Sequence, residues 1–284
     1  MRTQSLDTSP EFERVQIAHI RALSAARKFK SVRSWTQSIT SANFYAMHGS
    51  TNGIDEIQES DRAAQFIARE YGDNLATLFR DEVVRRADWT RQTPDLQEAI
   101  LPAIEAYEKL GIRYVLTGSV ACSIYGLPRA AQDVDMLAEF HSEQIAALFE
   151  HFSHTYLFDQ NAISLAIQQR TSFNLLHISR LVKIDVFLSS GSFEEAILQR
   201  GQAVPLIEGR VPLKLASPED IALTRLIWYR QNGNNADDQW NDILGLLKVQ
   251  APRLDLAYLS QQAETLKVHD LLAQAIDDAG ICEI

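Results

Sequence analysis

The sequence predicts an α+β fold: a small mixed sheet with flanking helices, preceded by an all-α N-terminal domain and followed by an α-rich C-terminal region. Three observations carry this. Residues 1–92 show apolar spacing of helical period and no convincing strand. Between Tyr114 and Leu188 the pattern changes to short apolar or alternating runs bounded by Gly, Ser and other turn residues. From Ser217 onward the helical period returns. The expected domains are 1–92, 93–216 and 217–284.

In order along the chain, residues 1–8 read as a disordered tail. Ser9-Pro10-Glu11 is a helix start: a capping hydroxyl, a proline at the first helical position and early negative charge. Phe12, Val15, Ile20 and Leu23 give that helix an apolar stripe. A second helix is expected over Arg27–Ile39, a turn cluster over Met47–Gly53, and further helices over Asp61–Tyr71 and Asn74–Arg86. Arg27, Lys28, Lys30 and Arg33, with Phe29 and Trp35 interleaved, form a basic cluster. Such a cluster either grips an RNA backbone by neutralising phosphates or lies along a solvated helix face.

Thr93-Pro94-Asp95 opens the next helix, which Gly111 closes. An apolar strand at Tyr114–Leu116 stops at Gly118-Ser119, a helix follows, and a second strand carries Asp133 and Asp135. Ser142–Phe152 reads as a helix, and residues 162–188 as a strand meander that ends in LVKIDVFLS around Asp185. A helix from Ser192 precedes a hairpin of Val204–Ile207 with Val211–Leu215. Ser217-Pro218-Glu219-Asp220 is the best-formed helix start in the chain. Helices over Ile221–Gln231, Asp237–Lys248, Leu256–Leu266 and Asp270–Asp278 complete it. Trp228, Tyr229 and Trp240 read as packing residues, and His141, His151 and His154 as surface or half-buried.

The chemistry concentrates in residues 114–140. A strand that stops at Gly118-Ser119 and turns into a helix aims backbone N–H groups and a hydroxyl at one point, which suits a polyphosphate. Asp133 and Asp135 stand two apart on a strand, so both carboxylates leave the same face. Neighbouring carboxylates repel, and a hard divalent cation such as Mg²⁺ relieves the conflict through oxygen ligands. Asp185 is a third charge at the centre of an apolar strand, where an uncompensated carboxylate costs several kcal/mol. Singly, each feature also reads as turn chemistry; the ordered set points to phosphoryl or nucleotidyl transfer.

That ordered set resembles the signature of the polymerase-β-type nucleotidyltransferases: Gly-Ser, a spacer of about a dozen residues (here 120–132), then Asp-x-Asp in a hydrophobic strand, with a third carboxylate on a later strand. The resemblance implies transfer of a nucleoside monophosphate from an NTP to an acceptor hydroxyl at a two-metal Mg²⁺ site held by Asp133, Asp135 and Asp185. It implies that Gly118 and Ser119 cradle the phosphates, with Arg129, Lys183 and Arg225 neutralising charge. The C-terminal half is similar to the abortive-infection AbiEii toxin type, which carries a Pro-Glu helix with a Lys and then Arg-x-Lys-Asp-x-x-Asp. Here Arg225 stands for that Lys, and aligning Asp242 with the last Asp puts Gln239 at the first Asp and Asp238 at the Lys. Asp238 and Asp242 equally read as an exposed i,i+4 pair at a helix N-terminus. The N-terminal helices are similar to a helical segment of cyanobacterial proteins, which brings no activity. RNA (including tRNA), a protein hydroxyl or a small molecule is the implied acceptor, and a cognate antitoxin an implied partner. The rival reading is a non-catalytic NTP- or RNA-binding protein that keeps the fold.

Composition sets the outer limits. The 284 residues carry a formal charge of −10, so attraction to nucleic acid requires a local basic patch. With 46% hydrophobic and 23% charged residues the chain belongs among ordinary globular proteins. Cys122 and Cys282 are too few for a disulfide framework. Without a signal peptide or a long apolar run, the expectation is a cytoplasmic protein that does not span a membrane.

Overall fold

The computed structural model describes residues 2–4, 8–48, 56–86, 89–233 and 237–281. Among them lie helices α1 (Pro10–Ala22), α2 (Ala25–His48), α3 (Glu56–Tyr71), α4 (Asp73–Arg85) and α5 (Leu96–Lys109). Next come β1 (Arg113–Thr117), α6 (Gly118–Tyr125), β2 (Asp133–Glu139), α7 (Ile145–Phe152), β3 (Tyr156–Leu157), α8 (Gln160–Gln169), β4 (Ser172–His177) and β5 (Val182–Leu188). The chain continues with α9 (Ser192–Arg200), β6 (Gln202–Val204), β7 (Leu213–Leu215), α10 (Pro218–Gln231), α11 (Asp237–Gln250), α12 (Leu256–Thr265) and α13 (His269–Ala279). These form two compact units. The first comprises Met1–Val32, Val115–Arg129 and Gln199–Ile284; the second comprises Arg33–Tyr114 and Ala130–Leu198. Both contain parallel and antiparallel strand pairs or helices around them, so the class is α+β as expected. Among the described residues no helix is long and apolar enough to cross a membrane.

Helix starts follow the side-chain chemistry in the sequence. Ser9 Oγ accepts from the N–H of Phe12 (3.2 Å) and Ser217 Oγ from that of Asp220 (3.1 Å), each with proline in the first turn. Asp95 caps α5 through the N–H groups of Gln97 (2.9 Å) and Glu98 (3.3 Å). Each cap contributes about 1 kcal/mol by satisfying otherwise unbonded donors.

In the first unit β1 pairs parallel with β7, and β7 antiparallel with β6, so the pair forms with its first arm at Gln202–Val204 instead of the expected Val204–Ile207 and its second shortened to Leu213–Leu215. The core gathers Leu116, Val120, Leu215, Leu226, Trp240 and Ile243, all almost wholly buried. Gly126 ends α6 where α11 passes: a Cβ there would stand 2.9 Å from the Leu246 nitrogen, so only glycine permits this approach. Glu13 of α1 and Lys248 of α11 form an ion pair at 3.0 Å, with side chains 1% and 2% exposed. Two described residues of the segment expected to be a loose tail are tied here: the N–H of Arg2 donates to the Asp278 carbonyl and that of Gln4 to Glu13 Oε1.

The second unit holds the strand order β3-β4-β5-β2, with β5 and β2 parallel and the other pairs antiparallel. Phe66, Ile67 and Phe79 of α3 and α4 pack with Trp89, Leu176 and Ile178. Inside α5, Pro102 interrupts the helix ladder. The Tyr156 hydroxyl enters the gap, accepting from the N–H of Ala103 (3.0 Å) and donating to the carbonyl of Ala99 (2.6 Å).

Three expectations change. Residues 162–169, read as a strand from Ile163, Leu165 and Ile167, belong to helix α8. Asp159 Oδ1 caps it through the N–H groups of Asn161 and Ala162, and burial falls on Ile163 and Ala166 while Leu165 is exposed. Helix α2 runs on through Met47 and His48; residues 49–53 of the expected turn lie outside the described residues. The basic cluster is divided: Lys28 and Phe29 are buried and Arg33 is paired with Asp95 (2.7 Å), which leaves Arg27, Lys30 and Trp35 outside. His141 and His154 are exposed and His151 half-buried, as expected.

His177 on β4 makes stability depend on pH. Burial, then the nearby Arg180, lowers its pKa from 6.5 to about 4. The unfolded chain thus binds this proton more readily, so the contribution is intact above pH 6.5 and is lost as pH falls through that value toward 4. Urea melts should show about 2 kcal/mol less stability from this group at pH 5 than at pH 7. A His177→Gln chain should lack that portion of the slope; an unchanged slope removes His177 as its source.

Candidate functional site

The acidic residues singled out by sequence meet in the second unit. On the parallel pair of β2 and β5, Asp133 lies opposite Lys183 and Asp135 opposite Asp185. Residues two apart on a strand share a face, and register partners share it too, so three carboxylates and one ammonium leave the same side of the sheet. Between them Val134 and Ile184 point to the opposite face and are fully buried. Asp135 is 6% exposed, whereas the side chain of Asp133 is 33% exposed.

Lys183 Nζ stands 2.7 Å from Asp185 Oδ2 and 3.7 Å from Asp133 Oδ2, and 5.8 Å from the centre of the Tyr71 ring. Asn174 lies opposite Asp185 on β4; with its amide turned so that the nitrogen faces Asp185, it donates to Oδ1 at 2.7 Å. Burial raises the Asp185 pKa above the usual carboxylate value; Lys183 opposes the shift and Asp133 adds to it. The Tyr71 hydroxyl donates to the Leu181 carbonyl (3.1 Å), and burial, then Asp133, keeps it protonated well above its ordinary range.

This donor set suits a hard divalent cation: every candidate ligand is an oxygen, and three carboxylates face a single ammonium. Among the described residues, however, no three His, Cys, Asp or Glu side chains are gathered as a metal cage. The Lys183 ammonium holds Asp185 and reaches Asp133. A cation and Lys183 would compete for the same oxygens, and the long 3.7 Å contact is the weaker of its two.

The remaining sequence-derived residues lie in the first unit. Thr117 ends β1, and Gly118 opens α6 at φ +61°, a conformation that favours glycine. No side chain caps this helix start, and Ser119 is buried beside it. Arg129 grips Asp242 with two bonds, Nε–Oδ1 at 2.6 Å and Nη2–Oδ2 at 2.7 Å. Arg225 Nη2 approaches the same Oδ2 at 3.5 Å. Asp242 is therefore a buried hub between two arginines, 8% exposed at its side chain, rather than half of an exposed acidic pair; Asp238 is exposed. Arg225 is itself buried, and its Nε and Nη2 have no hydrogen-bond partner among the described residues. Cys122, beneath this hub, has its thiol pushed up to about 12 by burial and then by Asp242, so it is an inert packing residue. Trp240 packs as expected, its ring 4.9 Å from that of Tyr229.

Sequence reading missed Asn174, Tyr71 and the pairing of Lys183. Asn174 was accessible in principle, as the polar residue of Phe173-Asn174-Leu175 on a strand next to Asp185. Tyr71 carries no local signal, because its place depends on how α3 packs.

No protein-family model matches the chain, and no curated protein matches it. Solved structures similar to it include an antigenic nucleotidyltransferase-like protein from Paracoccidioides brasiliensis, 18% identical over 63% of this chain and 90% of that one, with a TM-score of 0.39. The solution structure of the antibiotic-resistance factor ANT(2'')-Ia is 11% identical over 62% of this chain and 90% of that one, with a TM-score of 0.40. A putative nucleotidyltransferase from Thermotoga maritima is 13% identical over 51% of this chain and 93% of that one, with a TM-score of 0.34.

Proposed function

We propose that the chain is a Mg²⁺-dependent nucleotidyltransferase that moves a nucleoside monophosphate from an NTP to an acceptor hydroxyl. The observation that carries this reading is the register of β2 against β5, which sets Asp135 opposite Asp185 and Asp133 opposite Lys183 on one sheet face. In this reading Asp133, Asp135 and Asp185 hold the metal, which when bound offsets charge on the triphosphate and on the attacking oxygen. Asp185 accepts the proton of the acceptor hydroxyl as that oxygen bonds to the α-phosphorus and pyrophosphate departs, a role its raised pKa favours over that of a solvated aspartate. Lys183 orients Asp185. The Gly118 N–H and the Ser119 hydroxyl bind phosphate oxygens, and Arg225, whose Nε and Nη2 have no hydrogen-bond partner among the described residues, supplies donors to the same phosphates. Arg129 acts by holding Asp242 and, through it, Arg225. RNA or a protein hydroxyl is the proposed acceptor, and an AbiEii-like growth-arresting role with an antitoxin partner the finer proposal.

One observation favours a second reading, a nucleotide-binding protein without turnover: the Lys183 ammonium already engages two of the three carboxylates. Incubating the chain with Mg²⁺, each labelled NTP and total cellular RNA separates the two. Transfer of label that needs Mg²⁺ and vanishes in Asp133→Asn supports the enzyme. Mg²⁺-dependent nucleotide binding without labelled product supports the binder, and absence of both overturns the proposal.

A further inference from the structure

A cavity of about 460 Å³ lies within the first unit, between the C-terminal end of α6, the α1–α2 junction and the turn after α11. Its size is that of a small-molecule site. It opens beside Ile124 and Tyr125, roughly 9 Å along the helix axis from Gly118, so it is separate from the proposed phosphate cradle. Tyr125, Ile124 and Val249 give it an apolar wall. Three cationic side chains line it: Arg21, Lys28 and Arg253.

Lys28 is the unusual member. It is 4% exposed, yet among the described residues its ammonium makes no hydrogen bond or ion pair. A buried, unpaired charge is costly and persists where something else compensates it. Burial first, and repulsion from Arg253 second, lowers its pKa from 10.5 to about 8. The other cations bring no carboxylate to it: Arg21 is bonded to the carbonyls of Lys248 and Val249. The single acid in the lining, Glu219, is already committed, accepting from the Asp255 N–H (3.0 Å) and facing Arg200 Nη2 (3.4 Å).

We propose that this cavity binds a small organic anion, with a phosphate or carboxylate head on Lys28 and Arg253 and an apolar body against Tyr125, Ile124 and Val249. The anion supplies Lys28 with a countercharge. This inference does not depend on nucleotidyl transfer. A merely structural lysine predicts the opposite behaviour on replacement, because Lys28→Met would then lose stability.

Calorimetric titration of the full chain at pH 8 with phenyl phosphate and with benzoate tests it. Saturable binding of either probe is expected, with proton uptake as the anion raises the Lys28 pKa. Preference for phenyl phosphate identifies the head as phosphate, and preference for benzoate as carboxylate. Lys28→Met should weaken binding by about 10- to 100-fold, the range for a charge-assisted hydrogen bond. The same substitution should raise the melting temperature of the empty chain by about 2 °C or more. Should that variant fail to fold, Arg253→Ala, on an exposed turn, must still weaken binding. No saturable binding of either probe, binding without proton uptake, or unchanged binding in both variants overturns the proposal.

Discussion

Asp135→Asn is expected to lower nucleotidyl transfer on the order of a thousandfold, about 4 kcal/mol of transition-state stabilisation, without unfolding the chain. Asp135 is the most buried of the three acids on this face, and it lies opposite Asp185 in the parallel register. Asparagine keeps its shape and one acceptor oxygen but removes the negative charge on which the proposed metal binding rests. Urea melts should show that the substituted chain still folds cooperatively. Single-turnover transfer and melting on the same preparation separate the two effects. Activity within about threefold of the unsubstituted chain would strike Asp135 from the proposed ligands.

The largest effect on stability is expected at the ion pair of Glu13 and Lys248. Lys248→Met leaves Glu13 charged and buried without its counter-ion, which costs about 3–5 kcal/mol. Among the described residues Glu13 Oε1 would keep the Gln4 N–H at 2.7 Å. Replacing both, as Glu13→Leu with Lys248→Met, should recover most of the loss, since an apolar pair of similar volume escapes the desolvation penalty. Chemical denaturation of the two single variants and the double one measures this directly. A loss below about 1 kcal/mol in Lys248→Met would mean that water reaches Glu13 and that the pair is not sealed.

What the sequence disclosed follows the range of the interaction concerned. Helix starts at Ser9, Asp95 and Ser217 were readable because a cap acts over three residues. The order of β1, α6 and β2 and the placement of Asp185 on a strand were readable from apolar runs and from a charge inside one. Helix α8 was misread because Ile163, Leu165 and Ile167 fit a strand period over so short a window, while the cap that decides the matter sits earlier, at Asp159. Charge pairings were not legible at all. Lys183 with Asp133, Arg129 with Asp242 and Arg33 with Asp95 join residues 50, 113 and 62 positions apart, and no local pattern encodes them. Lys28 looked like one of four basic residues on a helix; only packing separates it from Lys30.

The first unit is stitched from stretches at opposite ends of the chain, and that bears on how it is made. Glu13 leaves the ribosome 235 residues before Lys248, an interval of about 10–50 seconds at ordinary rates of translation. Throughout that wait the nascent N-terminal helix has neither its counter-ion nor α11, against which it packs, while the second unit has all its segments once Leu198 has emerged. This half of the protein must therefore mature late, and its exposed early helices are where a chaperone would have work to do.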